Sequence, residues 1–156
     1  MEVGVVFDPI KNELFTAARG DGAQLNGRRI RVTPRKGLAN SLIGTGFPFK
    51  QPQYLDTYLA SFKAVHPKVA GIRRAGSAAL DLAYVAAGRL DGFWEIGLNN
   101  WDMAAGVLLI REAGGIVTDF SGEGNYLETG NVVAAASKVY PELYKTIKPH
   151  LLDELK

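Results

Sequence analysis

One stretch restricts the fold more than any other: Glu95-Ile96-Gly97-Leu98-Asn99-Asn100-Trp101-Asp102-Met103-Ala104-Ala105-Gly106, running on to Ala113-Gly114-Gly115. A strand-like run gives way at Asn99-Asn100 to a helix that opens at Trp101-Asp102. A carboxylate therefore stands where a strand hands over to a helix. In an open α/β fold, ligands bind at the carboxyl ends of the strands, where such junctions lie. The helix that follows is filled with small residues and ends at a Gly pair. Asp102 is the point about which the other candidate residues are placed.

From residue 41 onward the pattern alternates. Residues 41–45 read as a strand, and 52–65 as a helix with Leu55, Tyr58, Leu59 and Phe62 at helical spacing. A strand over 69–72 precedes a helix that opens at Gly76-Ser77-Ala78-Ala79 and stops at Gly88. Its apolar residues lie almost all round, so it is expected to be buried. A strand over 92–96, a helix over 102–113, strands over 116–118 and 132–135, and a helix over 139–148 complete the series. This alternation predicts an α/β class fold, a three-layer α/β/α sandwich, over residues 38–156.

Residues 1–37 read differently, as antiparallel strands. Runs at 3–7 and 13–18 flank the turn Asp8-Pro9-Ile10-Lys11-Asn12. Runs at 23–25 and 29–32 flank the tight turn Asn26-Gly27. The meander opens in mid-strand. It is expected to be the end of a preceding α+β domain whose sheet continues upstream.

A chain of 156 residues with 47% apolar and 22% charged residues can bury a real core. It has no cysteine, which removes disulfides, thiolate metal sites and a Cys nucleophile and fits a reducing cytoplasm. Its two histidines, His66 before Pro67 and His150 in the polar tail, read as surface residues. Any metal is then a hard cation on carboxylates. No apolar run reaches the length of a membrane span. A net charge of +2 gives no ground for a nucleic-acid partner.

Asp102 has two roles open to it: helix capping, and metal ligation or acid–base work. Glu95 shares a strand face with Phe93 and Gly97, while Trp94 and Ile96 take the other. A carboxylate there is costly without a partner; it is either a surface Glu or an acceptor for a polyhydroxylated ligand at an open strand end. Gly76, Ser77 and Ala78 form a small-residue helix start that suits an anion or a hydroxyl as well as a plain cap. Arg73 and Arg74 precede it, as a phosphate-assisting or merely exposed pair. The basic run Arg28, Arg29, Arg31, Arg35 and Lys36 is a nucleic-acid patch or a solvated face. No Walker loop, nucleophile elbow or dinucleotide fingerprint is present.

Trp101-Asp102-Met103-Ala104-Ala105-Gly106 with Glu112-Ala113-Gly114-Gly115 resembles the second signature of the inositol monophosphatase family. Gly4-Val5-Val6-Phe7-Asp8-Pro9, Glu13-Leu14-Phe15-Thr16-Ala17, Gly22-Ala23-Gln24-Leu25-Asn26-Gly27, Gly46-Phe47-Pro48-Phe49 and the run from Gly76-Ser77-Ala78-Ala79-Leu80-Asp81 to Gly88 are similar to its bacterial SuhB-type members in particular. The resemblance implies a layered αβαβα fold and a cytoplasmic, Li⁺-sensitive, commonly dimeric phosphomonoesterase. It implies Mg²⁺ as cofactor and inositol 1-phosphate, or a related polyol, sugar or nucleotide phosphate, as substrate. Asp102 would be a catalytic Mg²⁺ ligand, Glu95 would bind inositol hydroxyls, and Gly76, Ser77 and Ala78 would line the substrate pocket. The resemblance also implies contact with the transcription and ribosomal-RNA machinery, for which the basic run is a candidate surface. The family's upstream metal-binding Glu and its Asp-Pro-Ile/Leu-Asp-Gly-Thr run are not in these residues. The chain is therefore expected to be the C-terminal portion of the active enzyme and inactive alone.

Overall fold

The computed structural model describes residues 1–155. Its first sheet is antiparallel, with β1 (Val3–Asp8), β2 (Glu13–Ala18), β3 (Gly22–Leu25) and β4 (Arg28–Arg29) in sequential order. Asn26 and Gly27 both take positive φ, 49° and 75°, as a tight hairpin turn requires. Along β1 the side chains alternate: Val6 and Asp8 turn inward, while Val3, Val5 and Phe7 stay exposed on the outer face.

The second sheet has five strands in the order β6-β5-β7-β9-β8: β5 (Leu42–Thr45), β6 (Gly71–Arg73), β7 (Gly92–Glu95), β8 (Gly115–Thr118) and β9 (Val132–Ala136). β5 runs parallel to both β6 and β7, and β9 runs antiparallel to β7 and β8. Helices α1 (Leu55–Val65) and α5 (Tyr140–Ile147) cover one face, with Tyr58, Trp94, Leu143 and Ile147 in the core between. Helices α2 (Ala78–Ala86) and α3 (Asn100–Glu112) cover the other, with Leu82, Phe93, Met103 and Leu109. The expected α/β/α sandwich is present. The antiparallel sheet stacks on it as a further layer, sending Val6, Phe15, Ala17 and Ala23 into the core of α2 and α3.

Helix α3 is therefore packed on both sides, which explains its small residues. A Cβ on Gly106 would lie 2.5 Å from Leu82 Cβ, and one on Gly4 of β1 would lie 3.1 Å from the Ala105 carbonyl oxygen. Side chains larger than these would hold the layers apart.

Three elements depart from the sequence reading. Helix α3 starts at Asn100, two residues early, because Asn99 rather than Asp102 is its N-cap. Strand β4 ends at Arg29; after the Ile30 amide bonds Ala23, the Val32 amide bonds the Ala113 carbonyl at 3.1 Å, so the end of α3 draws the chain out of the sheet. A single helical turn, α4 (Tyr126–Thr129), closed by Gly130 in the left-handed region, carries too little periodicity to be read in advance.

The close approach of α2 and α3 makes Gly106 and Leu82 a coupled pair. Gly106→Ala is expected to cost about 1–3 kcal/mol in urea unfolding, as overpacking does. In the Leu82→Gly background the same change should cost less, since the clashing side chain, its Cβ included, is gone. Equal costs in both backgrounds would show that the helices do not meet at this point.

Candidate active site

The carboxyl ends of the parallel neighbours β5 and β7 face the N-termini of α2 and α3. α1 and α2 lie on opposite faces of the sheet, so the chain's crossovers part here, as they do at ligand crevices of α/β folds. A cleft of about 290 Å³ opens at this point. Gly76, Ser77, Ala78, Glu95 and Asp102 all line it, so the five residues singled out from the sequence meet in one place.

Ser77 is the N-cap of α2, extended at φ −134° and ψ 101°, and its hydroxyl accepts the Leu80 amide over a long 3.4 Å. Ala78 lies in the first turn, where helix amides have no intrahelical acceptor and the dipole is positive. Gly76, at φ +102°, makes the preceding turn.

Asp102 is the third residue of α3. Its Oδ2 accepts the Asn99 amide at 2.9 Å, the reaching-back half of a capping box. The capping and ligand readings are thus divided between two oxygens, since no described residue hydrogen-bonds Oδ1.

Glu95 ends β7, half-buried, with Phe93 on its side of the sheet and Trp94 and Ile96 on the other. Its carboxylate folds back over the end of β5, where a Cβ on Gly46 would overlap it. Glycine at 46 is what makes room for it. Burial pushes the Glu95 carboxyl up to about 7, with the Asp81 and Asp102 charges adding to the effect and Arg74 and Lys50 opposing it.

Asp81 was not singled out. It lies on α2, 2% exposed, and lines the same cleft. Burial pushes its carboxyl up to about 6 against the pull of Arg74. The signal was present in the sequence: a lone carboxylate in a helix apolar all round needs a reason. Arg73 and Arg74, alike in the sequence, separate. Arg73 turns back onto the Ile72 carbonyl at 3.1 Å. Arg74 lines the cleft, its guanidinium 5.0 Å from the Phe49 ring and 5.7 Å from Phe47.

Three carboxylates line this cleft, yet no group of three or more His, Cys, Asp or Glu among the described residues could hold a metal ion. Mg²⁺ wants six oxygens in near-octahedral array. Asp102 offers one, so the residues present do not by themselves fit it. His66 and His150 are exposed and outside the cleft, as are Arg28, Arg29 and Arg31. Arg35 is drawn 3.3 Å from Asp91. No described helix is long and apolar enough to cross a membrane.

The model of the Inositol monophosphatase family matches residues 1–152. Nus factor SuhB of Pseudomonas aeruginosa is 57% identical over 158 residues, covering 100% of this chain and 58% of that protein. Nus factor SuhB of Escherichia coli is 56% identical over 155 residues, 99% of this chain and 58% of that one. Among solved structures, extragenic suppressor protein suhB of Bartonella henselae superposes with a TM-score of 0.92 at 48% identity, over 96% of this chain and 57% of the other. Inositol monophosphatase from Anabaena superposes at 0.90 and 41% identity, over 95% and 61%. The chain spans 58% of the length of the curated relatives it matches. A match over nearly every residue, with the same fold, places the chain in the inositol monophosphatase family.

Proposed function

We propose that these residues form the polyol-recognising part of a cytoplasmic, dimeric, Mg²⁺-dependent phosphomonoesterase. Its substrate is inositol 1-phosphate or a related polyol or sugar phosphate. The observation that carries this reading is the convergence of Glu95, Asp102 and the first turn of α2 on one cleft, in a chain of this family. Glu95 accepts hydrogen bonds from polyol hydroxyls. Gly76, Ser77 and Ala78 let the ligand approach the positive end of α2. Asp102, steadied by its bond to the Asn99 amide, is one ligand of Mg²⁺, and the remaining ligands come from outside the 156 residues.

A second reading is favoured by the name Nus factor carried by the relatives. In it the exposed Arg28, Arg29 and Arg31 contact the transcription machinery. The two readings use different faces and are separable by mutation.

With Mg²⁺, the 156-residue chain should release phosphate from inositol 1-phosphate at the background rate. A protein spanning the full length of the relatives should turn it over. In that longer protein, Asp102→Asn should reduce turnover on the order of 100-fold or more; undiminished turnover would remove Asp102 from the metal site. Charge reversal at Arg28, Arg29 and Arg31 should leave turnover intact. It should reduce capture of RNA polymerase if the second reading holds, and capture unaffected by the reversals would dismiss that surface.

The pH dependence follows from Glu95. Its folded value, about 7, lies above the ordinary carboxylate value of 4.5. The unfolded chain therefore ionises first, and the group's contribution to stability is full below 4.5 and lost as pH rises through 7. Glu95→Gln does not titrate. Its stability relative to the wild type should grow by about 2 kcal/mol between pH 5 and pH 8, read from paired urea melts. A difference that stays flat with pH would show Glu95 to be freely solvated.

A further inference from the structure

Among the described residues, Asp81 Oδ1 is a buried side-chain oxygen with no hydrogen-bond partner. The residue lies in the first turns of α2, whose other buried residues include Leu82, Ala83 and Val85, and is 2% exposed. Beneath it runs the backbone of β5. A Cβ on Gly44 would lie 3.8 Å from Oδ1 and 3.0 Å from both Leu90 Cδ1 and Phe93 Cδ2, so the oxygen and these apolar groups border the same point of β5. Arg74 and Lys50, the cations of the cleft, form no ion pair with it.

Such an orphaned oxygen costs stability, and a leucine of similar shape would cost nothing of the kind. The protein supplies no donor, yet the residue lines the cleft. Oδ1 is closed to the cleft as well as to the protein, whereas Oδ2, also without a protein donor, keeps access, so the donor the protein lacks belongs on a ligand that meets Oδ2. A metal ion is a poor candidate, because no three carboxylates here are placed to share one. Asp81 and Glu95 line the same cleft, so the two acceptors address one volume. Two acceptors beside each other, with a helix start on one side, match a molecule that presents neighbouring hydroxyls, each O–H donating to one carboxylate.

We propose that Asp81 is a specificity-determining residue of this cleft, accepting a hydrogen bond from a second hydroxyl of the bound polyol beside the one accepted by Glu95. The cleft then selects ligands with two adjacent hydroxyls over ligands with one. This rests on the polyol reading of the site.

The test titrates the 156-residue chain with myo-inositol and with cyclohexanol, which has a single hydroxyl, following side-chain carboxyl carbons by NMR. In the wild type, myo-inositol should shift the Asp81 and Glu95 carboxyl signals and cyclohexanol should not shift that of Asp81. Asp81→Leu should bind myo-inositol about tenfold more weakly, bind cyclohexanol as before, and melt at the same or a higher temperature. An Asp81 signal unmoved by myo-inositol while that of Glu95 moves would overturn the inference and leave the polyol reading standing. So would Asp81→Leu affinity equal to the wild type, with Glu95→Gln weakened. If Asp81→Leu melts lower or fails to fold and the wild-type Asp81 signal is also unmoved, the residue is structural and the inference falls. If neither carboxyl responds to myo-inositol, the polyol reading falls and takes the inference with it.

Discussion

The constraint on which the rest depends is that α3 is a helix with no solvent side to spare. The antiparallel sheet lies on one flank and α2 and the mixed sheet on the others, so Met103, Val107, Leu109 and Ile110 are all fully buried. Close packing of this kind leaves room only for small residues at the crossings. Gly106 against Leu82, and Ala105 against Gly4 of β1, are where the layers touch. These contacts fix the start of α3 relative to the start of α2. They thereby fix where Asp102 stands relative to Ser77. The geometry of the cleft is set by packing about one helical turn beneath it.

Within the cleft the electrostatics run against stability. Glu95, Asp81 and Asp102 line a small volume beside Arg74 and Lys50, and neither cation closes an ion pair with a carboxylate there. Arg74 instead lies over Phe47 and Phe49. Glu13 and Asp119, outside the cleft, are thoroughly satisfied. Glu13 receives a two-pronged bond from Arg89, and Asp119 collects amide after amide from the loop that follows it. The contrast separates acids that build structure, whose carboxyls are pulled down, from acids held up by burial. Perturbed carboxyls that converge in a cleft are the physical mark of a functional site.

Much of this was legible in the residues. Period-2 and period-3.6 patterns located both sheets, β4 apart, and four of the helices to within a residue or two, counting the 3₁₀ turn Pro52–Tyr54 that leads into α1. The alternation put Glu95 on the face of Phe93 and away from Trp94 and Ile96, and the structure covers the Phe93 face with α2 and α3. What could not be read depended on through-space contacts. That Asn99, not Asp102, caps α3 turns on where the first turn begins, with Asp102, three residues on, reaching back to the Asn99 amide. β4 is short because Val32 finds the Ala113 carbonyl, a partner 81 residues away that no local pattern announces. Arg73 and Arg74 are neighbours of one type, and only the aromatic pair at Phe47 and Phe49 tells them apart. Asp81 was visible in a matched motif yet unremarked, because an acid in the first turns of a helix is ordinarily explained by the dipole.

The division of labour in the cleft follows from which oxygens are already used. Asp102 has one oxygen tied to the Asn99 amide, which restrains its carboxylate, and in the proposed role the ligand oxygen is Oδ1. Such preorganisation is what a metal ligand needs, since its orientation is set before the ion arrives. Glu95 is held by shape, pressed over Gly46 and raised by burial, which suits an acceptor that must bind neutral hydroxyls without attracting a cation of its own. Asp81 lies deeper still and has no partner at all. From the helix start inward, the carboxylates thus become less solvated and less satisfied. In the proposed roles that gradient runs from the metal ligand, through the first hydroxyl acceptor, to the second. The same burial that makes Asp81 costly to the fold makes it discriminating, because a buried acceptor left unmatched by its ligand is penalised in full.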